Sequence, residues 1–143
     1  MKQVTIIFML LFSIQVCSQN DFLTFENALQ KSKEESKPLI LYFSGSDWCK
    51  PSIALQRNVL QTKRFTAFKE EVIFMQLDFP LKYSNRLSRK ETNHNENLAV
   101  RYNPQDYFPK MILVNYSGEL MAEFKYRKGM SPQDFIDQIK KEL

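Results

Sequence analysis

The chain has 143 residues, 43% of them hydrophobic and 25% charged, with 20 Lys and Arg against 16 Asp and Glu for a net charge of +4. That is the length of one domain with the composition of an ordinary compact fold, and no second core is called for. The mild positive balance admits acidic partners but makes no case for nucleic acid: Lys82, Arg86, Arg89 and Lys90 cluster, Glu91 and Glu96 follow them, and the group reads as a solvated helix face.

Residues 1–18 are unlike the rest. Lys2 precedes the apolar run of residues 4–12, and small and polar residues follow as far as Val16-Cys17-Ser18. This is the pattern of a secretory signal peptide, with cleavage leaving Gln19 first. A lipoprotein acylated at Cys17 is the alternative, although Val16 is bulkier than the residue that usually precedes such a cysteine. The run is far short of the roughly 20 residues that a spanning helix requires, and no later segment approaches that length, which argues against an integral membrane protein. Either route removes Cys17 from the thiols. The mature chain then keeps Cys49 alone, without an internal disulfide, in an exported and oxidising compartment such as the periplasm.

From residue 22 to 36, Phe22, Phe25, Ala28 and Leu29 recur at helical spacing, and this first helix ends before Pro38. Residues 39–43 form a short continuous apolar run, which predicts a buried strand. A helix starts near Cys49, with Pro51 in its first turn, where a missing N–H removes nothing; Ile53, Leu55, Val59 and Leu60 supply its buried face. Residues 71–78 have strand composition and Pro80 stops them. Ser88 and Glu91 have capping-box spacing for a helix running through Leu98, Ala99 and Tyr102. Residues 111–115 and 119–126 flank a tight turn at Gly118 and predict a hairpin. The last helix opens with Ser131 as cap and Pro132 at the first helical position, and turns Phe135, Ile136 and Ile139 inward. The order is helix, strand, helix, strand, helix, strand, strand, helix.

Trp48-Cys49-Lys50-Pro51-Ser52 falls at the strand-to-helix junction and Phe108-Pro109 just before the hairpin. With the element order, these residues resemble the thioredoxin family across nearly the whole mature chain, residues 19–143. More narrowly, residues 43–49, 77–80 and 107–109 look like exported thioredoxin-like proteins of Bacteroidetes-type bacteria. The resemblance implies an α/β fold with a central mixed sheet flanked by helices, Cys49 exposed at a helix N-terminus, and Pro109 in a cis peptide opposite it. Trp48, Lys50, Pro51 and Phe108 would then line the place where a partner peptide lies. At a helix start, unpaired N–H groups and the macrodipole favour an anion, so the Cys49 thiolate should be stabilised there.

Two departures bound the chemistry. Residues 39–43 contain no acidic residue, although many thioredoxins bury one beneath the active site. More seriously, Ser52 stands where the family's second cysteine would attack the mixed disulfide formed by the first and release the partner. Without that resolving thiol, release waits for a thiol from outside. His94, the only histidine, lies among Asn93 and Asn95 and is expected to face solvent. One mature cysteine and one histidine on separate elements cannot assemble a zinc site, and no cofactor motif is present. The expectation is an exported monothiol oxidoreductase or isomerase-like protein acting on protein thiols or disulfides of the cell envelope. The alternative is a thioredoxin-fold binding or chaperone-like module without turnover. Membrane contact is expected only if Cys17 is lipidated.

Overall fold

A continuous apolar strand must be covered on both faces, and β1 (Leu39–Ser44) is buried at every position. In the computed structural model, which describes residues 22–143, it lies inside a four-stranded sheet of order β2-β1-β3-β4. β2 (Ile73–Asp78) runs parallel to it, from Leu39↔Ile73 to Ser44↔Asp78. β3 (Lys110–Val114) runs antiparallel, from Leu39↔Val114 to Phe43↔Lys110, and pairs in turn with β4 (Leu120–Phe124). Residues 1–18, read above as a signal peptide, and Cys17 among them lie outside the described residues.

Alternate strand residues face opposite ways, so the core divides into two clusters. Ile40, Tyr42, Met111 and Leu113 face α2 (Lys50–Leu55), α3 (Lys63–Phe68) and α5 (Pro132–Lys140). Leu39, Leu41, Phe43 and Ile112 face α1 (Phe25–Glu35) and α4 (Arg89–Tyr102). The expected α/β architecture, a mixed sheet between two helical layers, is therefore what the chain adopts. Phe65 and Phe135 are fully buried side by side; each contributes on the order of 1.5–3 kcal/mol and together they join α3 to α5.

The local signals sit where the chain turns. Ser131 and Asp134 form a reciprocal capping box ahead of Pro132, Ser88 Oγ accepts the Glu91 N–H at 3.2 Å, and Gly118 takes φ +75° in the β3–β4 turn. Elsewhere the structure departs from the sequence reading. α1 starts three residues later than Phe22, capped by Thr24. The helix after Cys49 is not one element: α2 passes into a π-helical turn, Gln56–Leu60, and then α3 begins behind Thr62, whose Oγ1 accepts the Phe65 N–H. Ile53, expected inside, is exposed, because the buried stripe runs through Leu55 and Val59, one turn apart, and Ile53 falls on the other side.

The basic cluster is not one helix face. Lys82 and Arg86 flank a 3₁₀ turn, Tyr83–Asn85, ahead of α4, whereas Arg89 and Lys90 lie in the first turn of α4. His94 is not solvent-facing either. Its Nε2 accepts the Phe25 N–H at 2.9 Å, its Nδ1 lies 3.0 Å from Asn95 Oδ1, and Phe22 meets the ring edge-on. A helix leaves its first N–H groups without internal partners, and here α4 supplies one to α1.

Candidate active site around Cys49

Cys49 is the N-cap of α2, with extended backbone, so the chain arrives from β1 and turns sharply into the helix at this residue. The turn closes through the Cys49 N–H, donated to Gly45 O at 3.0 Å, and the Ile53 N–H, donated to Cys49 O at 3.0 Å. Lys50 and Pro51 follow on the exposed first turn of α2, where Pro51 displaces no hydrogen bond. Ser52 turns inward and is 1% exposed; its Oγ accepts the Gly45 N–H at 3.3 Å. Ser52, three residues after Cys49, thus fastens the turn that carries the thiol.

The Phe108–Pro109 peptide is cis and stands against the turn, with Cys49 Sγ donating to Phe108 O at 3.3 Å. Cys49 is 7% exposed, which corrects the expectation of an exposed sulfur. Next to it, Trp48 packs edge-on against Phe108 with ring centroids 5.5 Å apart, and its Nε1 donates to Phe79 O at 2.7 Å. Phe79 in turn lies 5.3 Å from Phe108. The side chain of Cys49 caps no first-turn N–H; the sulfur's hydrogen bond runs outward to the Phe108 carbonyl. A thiolate has no proton to donate to that carbonyl, and the orphan N–H groups of α2 are the donors open to it.

Several residues that the sequence reading did not single out hold this geometry. Asp78, at the end of β2, accepts Ser44 Oγ–H at 2.7 Å and the Ser46 N–H at 3.0 Å through Oδ1, and Ser46 Oγ–H through Oδ2. Asp47 accepts the N–H groups of Leu81 and Lys82, each at 2.9 Å, and the Asn85 amide at 3.0 Å. The Leu81 hydrogen bond, foremost among these, holds the Asp47 carboxyl below the usual carboxylate range. Gly45 has no room for a side chain, since an added Cβ would lie 2.5 Å from Trp48 Cε2. Asn103, fully buried, exchanges two hydrogen bonds with the Tyr107 backbone, at 2.8 and 3.0 Å, and so pins the loop that leads to Phe108. Gly45, Asp47 and Asp78 lie in segments 43–49 and 77–80, which carry the resemblance in the sequence, but their contacts reach across 30 or more positions or clamp loops and left no signal of their own.

No carboxylate comes from β1 itself. Instead Tyr42 lies beneath the turn and donates to Ser52 O at 3.4 Å. Burial pushes its phenol well above the usual tyrosine range, and the charges of Asp78 and Cys49 push the same way. The phenol therefore stays neutral and cannot take a proton from Cys49. Among the described residues no three His, Cys, Asp or Glu side chains gather as a metal site, and no helix is long and apolar enough to cross a membrane.

The chain as a whole is similar to proteins of known fold. A family model described as thioredoxin-like matches residues 20–115. A disulfide bond reductase, DsbH, of Chlamydia pneumoniae is 29% identical over 121 residues, 84% of this chain and 70% of the relative. A solved structure of a DsbH oxidoreductase superposes with TM-score 0.75 at 27% identity, covering 86% of this chain and 83% of the other. A disulphide isomerase from Xylella fastidiosa Temecula1 superposes with TM-score 0.55 at 25% identity, covering 81% and 86%.

Proposed function

The chain belongs to the thioredoxin-like family, and from that premise we propose that it is an exported thiol–disulfide oxidoreductase or isomerase-like protein that works through Cys49 alone. The observation that carries the reading is the placement of a lone thiol at the N-cap of α2, 3.3 Å from the Phe108 carbonyl, with Ser52 Oγ engaged by Gly45. The Cys49 thiol gives its proton to solvent. The thiolate attacks one sulfur of a client disulfide and forms a new S–S bond; the client's other sulfur leaves with the bonding pair and takes up a proton.

Release has two routes. The freed client thiolate can attack a second disulfide of the client, and the sulfur displaced there then attacks the client sulfur of the adduct, which frees Cys49 and leaves the client's disulfides re-paired with no net oxidation. Alternatively, an external thiol attacks the adduct and becomes the disulfide partner of the client sulfur, while Cys49 returns to the thiol. An internal resolving thiol would act at an effective concentration on the order of 10⁵ M or more, so Ser52 makes the adduct long-lived. Residues 1–18 as a signal peptide, with acylation of Cys17 the alternative, would deliver the protein to the envelope, where protein thiols and disulfides are its partners.

A binding or chaperone-like role without turnover is the second reading, favoured by the burial of Cys49. One experiment separates them. Folded protein mixed with a small symmetrical disulfide should give one adduct on Cys49 by intact mass, should reduce insulin disulfides poorly, and should gain reductase turnover in Ser52→Cys. Absence of any adduct on folded protein would overturn the redox reading in favour of binding; normal adduct formation with no gain in Ser52→Cys would overturn the resolving-thiol account.

A further inference from the structure

Between β2 and α4 the chain forms a strap, residues 80–87, that contains no acidic residue. It is tied to the residue next to Trp48: the Asp47 carboxylate takes both backbone N–H groups at Leu81 and Lys82 and the side chain of Asn85. Those contacts bring the strap to the rim of the Cys49 turn. The strap presents Leu81, 71% exposed, and Tyr83, 80% exposed, and the turn presents Trp48 at 42%. Large apolar side chains grouped this way on a small domain mark a contact surface.

The strap's own charged side chains, Lys82 and Arg86, are both positive. Lys50, next to the thiol, and Lys82 and Arg86, in the strap, are exposed, and the Arg86 guanidinium lies over the Tyr83 ring at 4.6 Å. Of the carboxylates close by, Asp47 is engaged by the strap's own donors and Asp78 by Ser44 and Ser46. A groove of about 360 Å³ runs along the strap, lined by Phe79, Leu81 and Leu87 together with Arg86, Asp78 and Glu96.

We propose that the strap is the docking surface for the client segment that brings the disulfide to Cys49, and that it selects segments with acidic side chains beside the reacting cysteine and a large apolar side chain beyond them. The acidic flank meets Lys50, Lys82 and Arg86, while the apolar side chain enters the groove lined by Leu81. This rests on the thiol-exchange reading above and adds the chemistry of the client to it. A field of one sign on the strap raises encounter rates with the opposite sign and weakens as salt screens it.

The test uses two peptides, each with one cysteine as a mixed disulfide with thionitrobenzoate. In one, the cysteine is followed by two glutamates and a leucine; in the other, lysines replace the glutamates. Thionitrobenzoate release by Cys49 is timed, and the reaction with a third, neutral substrate, hydroxyethyl disulfide, is followed by the mass of the Cys49 adduct. The acidic peptide should react about tenfold faster than the basic one, less so at high salt. Lys82→Glu with Arg86→Glu should invert the preference, and Leu81→Ser with Tyr83→Ser should slow both peptides, all variants reacting normally with hydroxyethyl disulfide. Equal rates for the two peptides, or a preference that survives charge reversal, would overturn the proposal while normal reaction with hydroxyethyl disulfide leaves the thiol-exchange reading standing. Failure of the unmodified protein to react with hydroxyethyl disulfide would sink both. Equal peptide rates together with binding to phosphatidylglycerol vesicles that charge reversal removes would assign the strap to a membrane surface instead.

Discussion

The turn of residues 45–52 and the strap of residues 80–87 are neighbours built on opposite principles. The turn is held from within: Gly45 gives its N–H to Ser52 and its carbonyl to Cys49, Trp48 is fixed by Phe79 and Phe108, and Asp78 ties Ser44 and Ser46 to the end of β2. The strap is held from one side by one carboxylate, and its largest side chains face solvent. Reaction geometry tolerates little displacement, so its groups belong where packing over-determines them. A recognition surface needs exposure, and a single anchor leaves it free to vary without disturbing the thiol.

Gly45→Ala should break the turn most. The added Cβ meets the Trp48 ring at 2.5 Å, so the ring must move and lose its bond to Phe79; a loss of about 1–3 kcal/mol is expected from such overpacking. Chemical denaturation measures it, and the emission of Trp48, the only tryptophan, should shift as well. A stability change within about 0.5 kcal/mol would show that the rim is softer than the geometry implies.

Ser52→Ala should cost less, on the order of 1 kcal/mol, by leaving the buried Gly45 N–H without its acceptor. Cys49 adduct formation should continue in this variant. If stability is unchanged, Ser52 does not fasten the turn.

Alkaline titration is a gentler probe of the same region. The Tyr42 phenol is raised by burial, so above the ordinary tyrosine value of about 10 the unfolded chain has lost a proton that the folded one retains. Stability therefore falls as pH rises through that window. Tyr42→Phe should flatten the alkaline limb of a pH–stability curve, and an unchanged limb would mean that Tyr42 is not the group responsible. Tyr102, also raised chiefly by burial, should contribute to the residual slope.

The smallest global effect is expected at Asp47. Asp47→Ala should abolish hydrogen-exchange protection of the Leu81 and Lys82 amides while leaving the unfolding midpoint and the Trp48 emission close to those of the parent. Because the Asp47 carboxyl is held below its usual range, its contribution is complete above the ordinary carboxylate value and is lost as pH falls through the lower folded one. The same two amides should thus lose protection in acid only below the usual carboxylate range. Global unfolding on Asp47→Ala would show that strap and turn are one unit rather than two.

How much of this was legible in advance depended on distance along the chain. The hairpin at Gly118, the caps at Ser88 and Ser131, the buried run of β1 and the Cys49-to-Ser52 motif all rest on residues within one turn or one strand of each other, where backbone sterics and the nearest N–H groups decide the conformation. α3 was missed although Thr62 and the Phe65–Phe68 spacing were local signals of the same kind. The π-helical turn between α2 and α3 left none. Whether the thiol is covered, what His94 accepts, which strand end clamps Ser46 and what anchors the strap were open to the tertiary structure alone. Each joins groups 30 to 70 residues apart, and a polar side chain in the sequence does not announce its partner: a buried donor must find an acceptor, but which acceptor comes within 3 Å is settled only when the sheet has formed and brought the ends of β1, β2 and the Phe108 loop together.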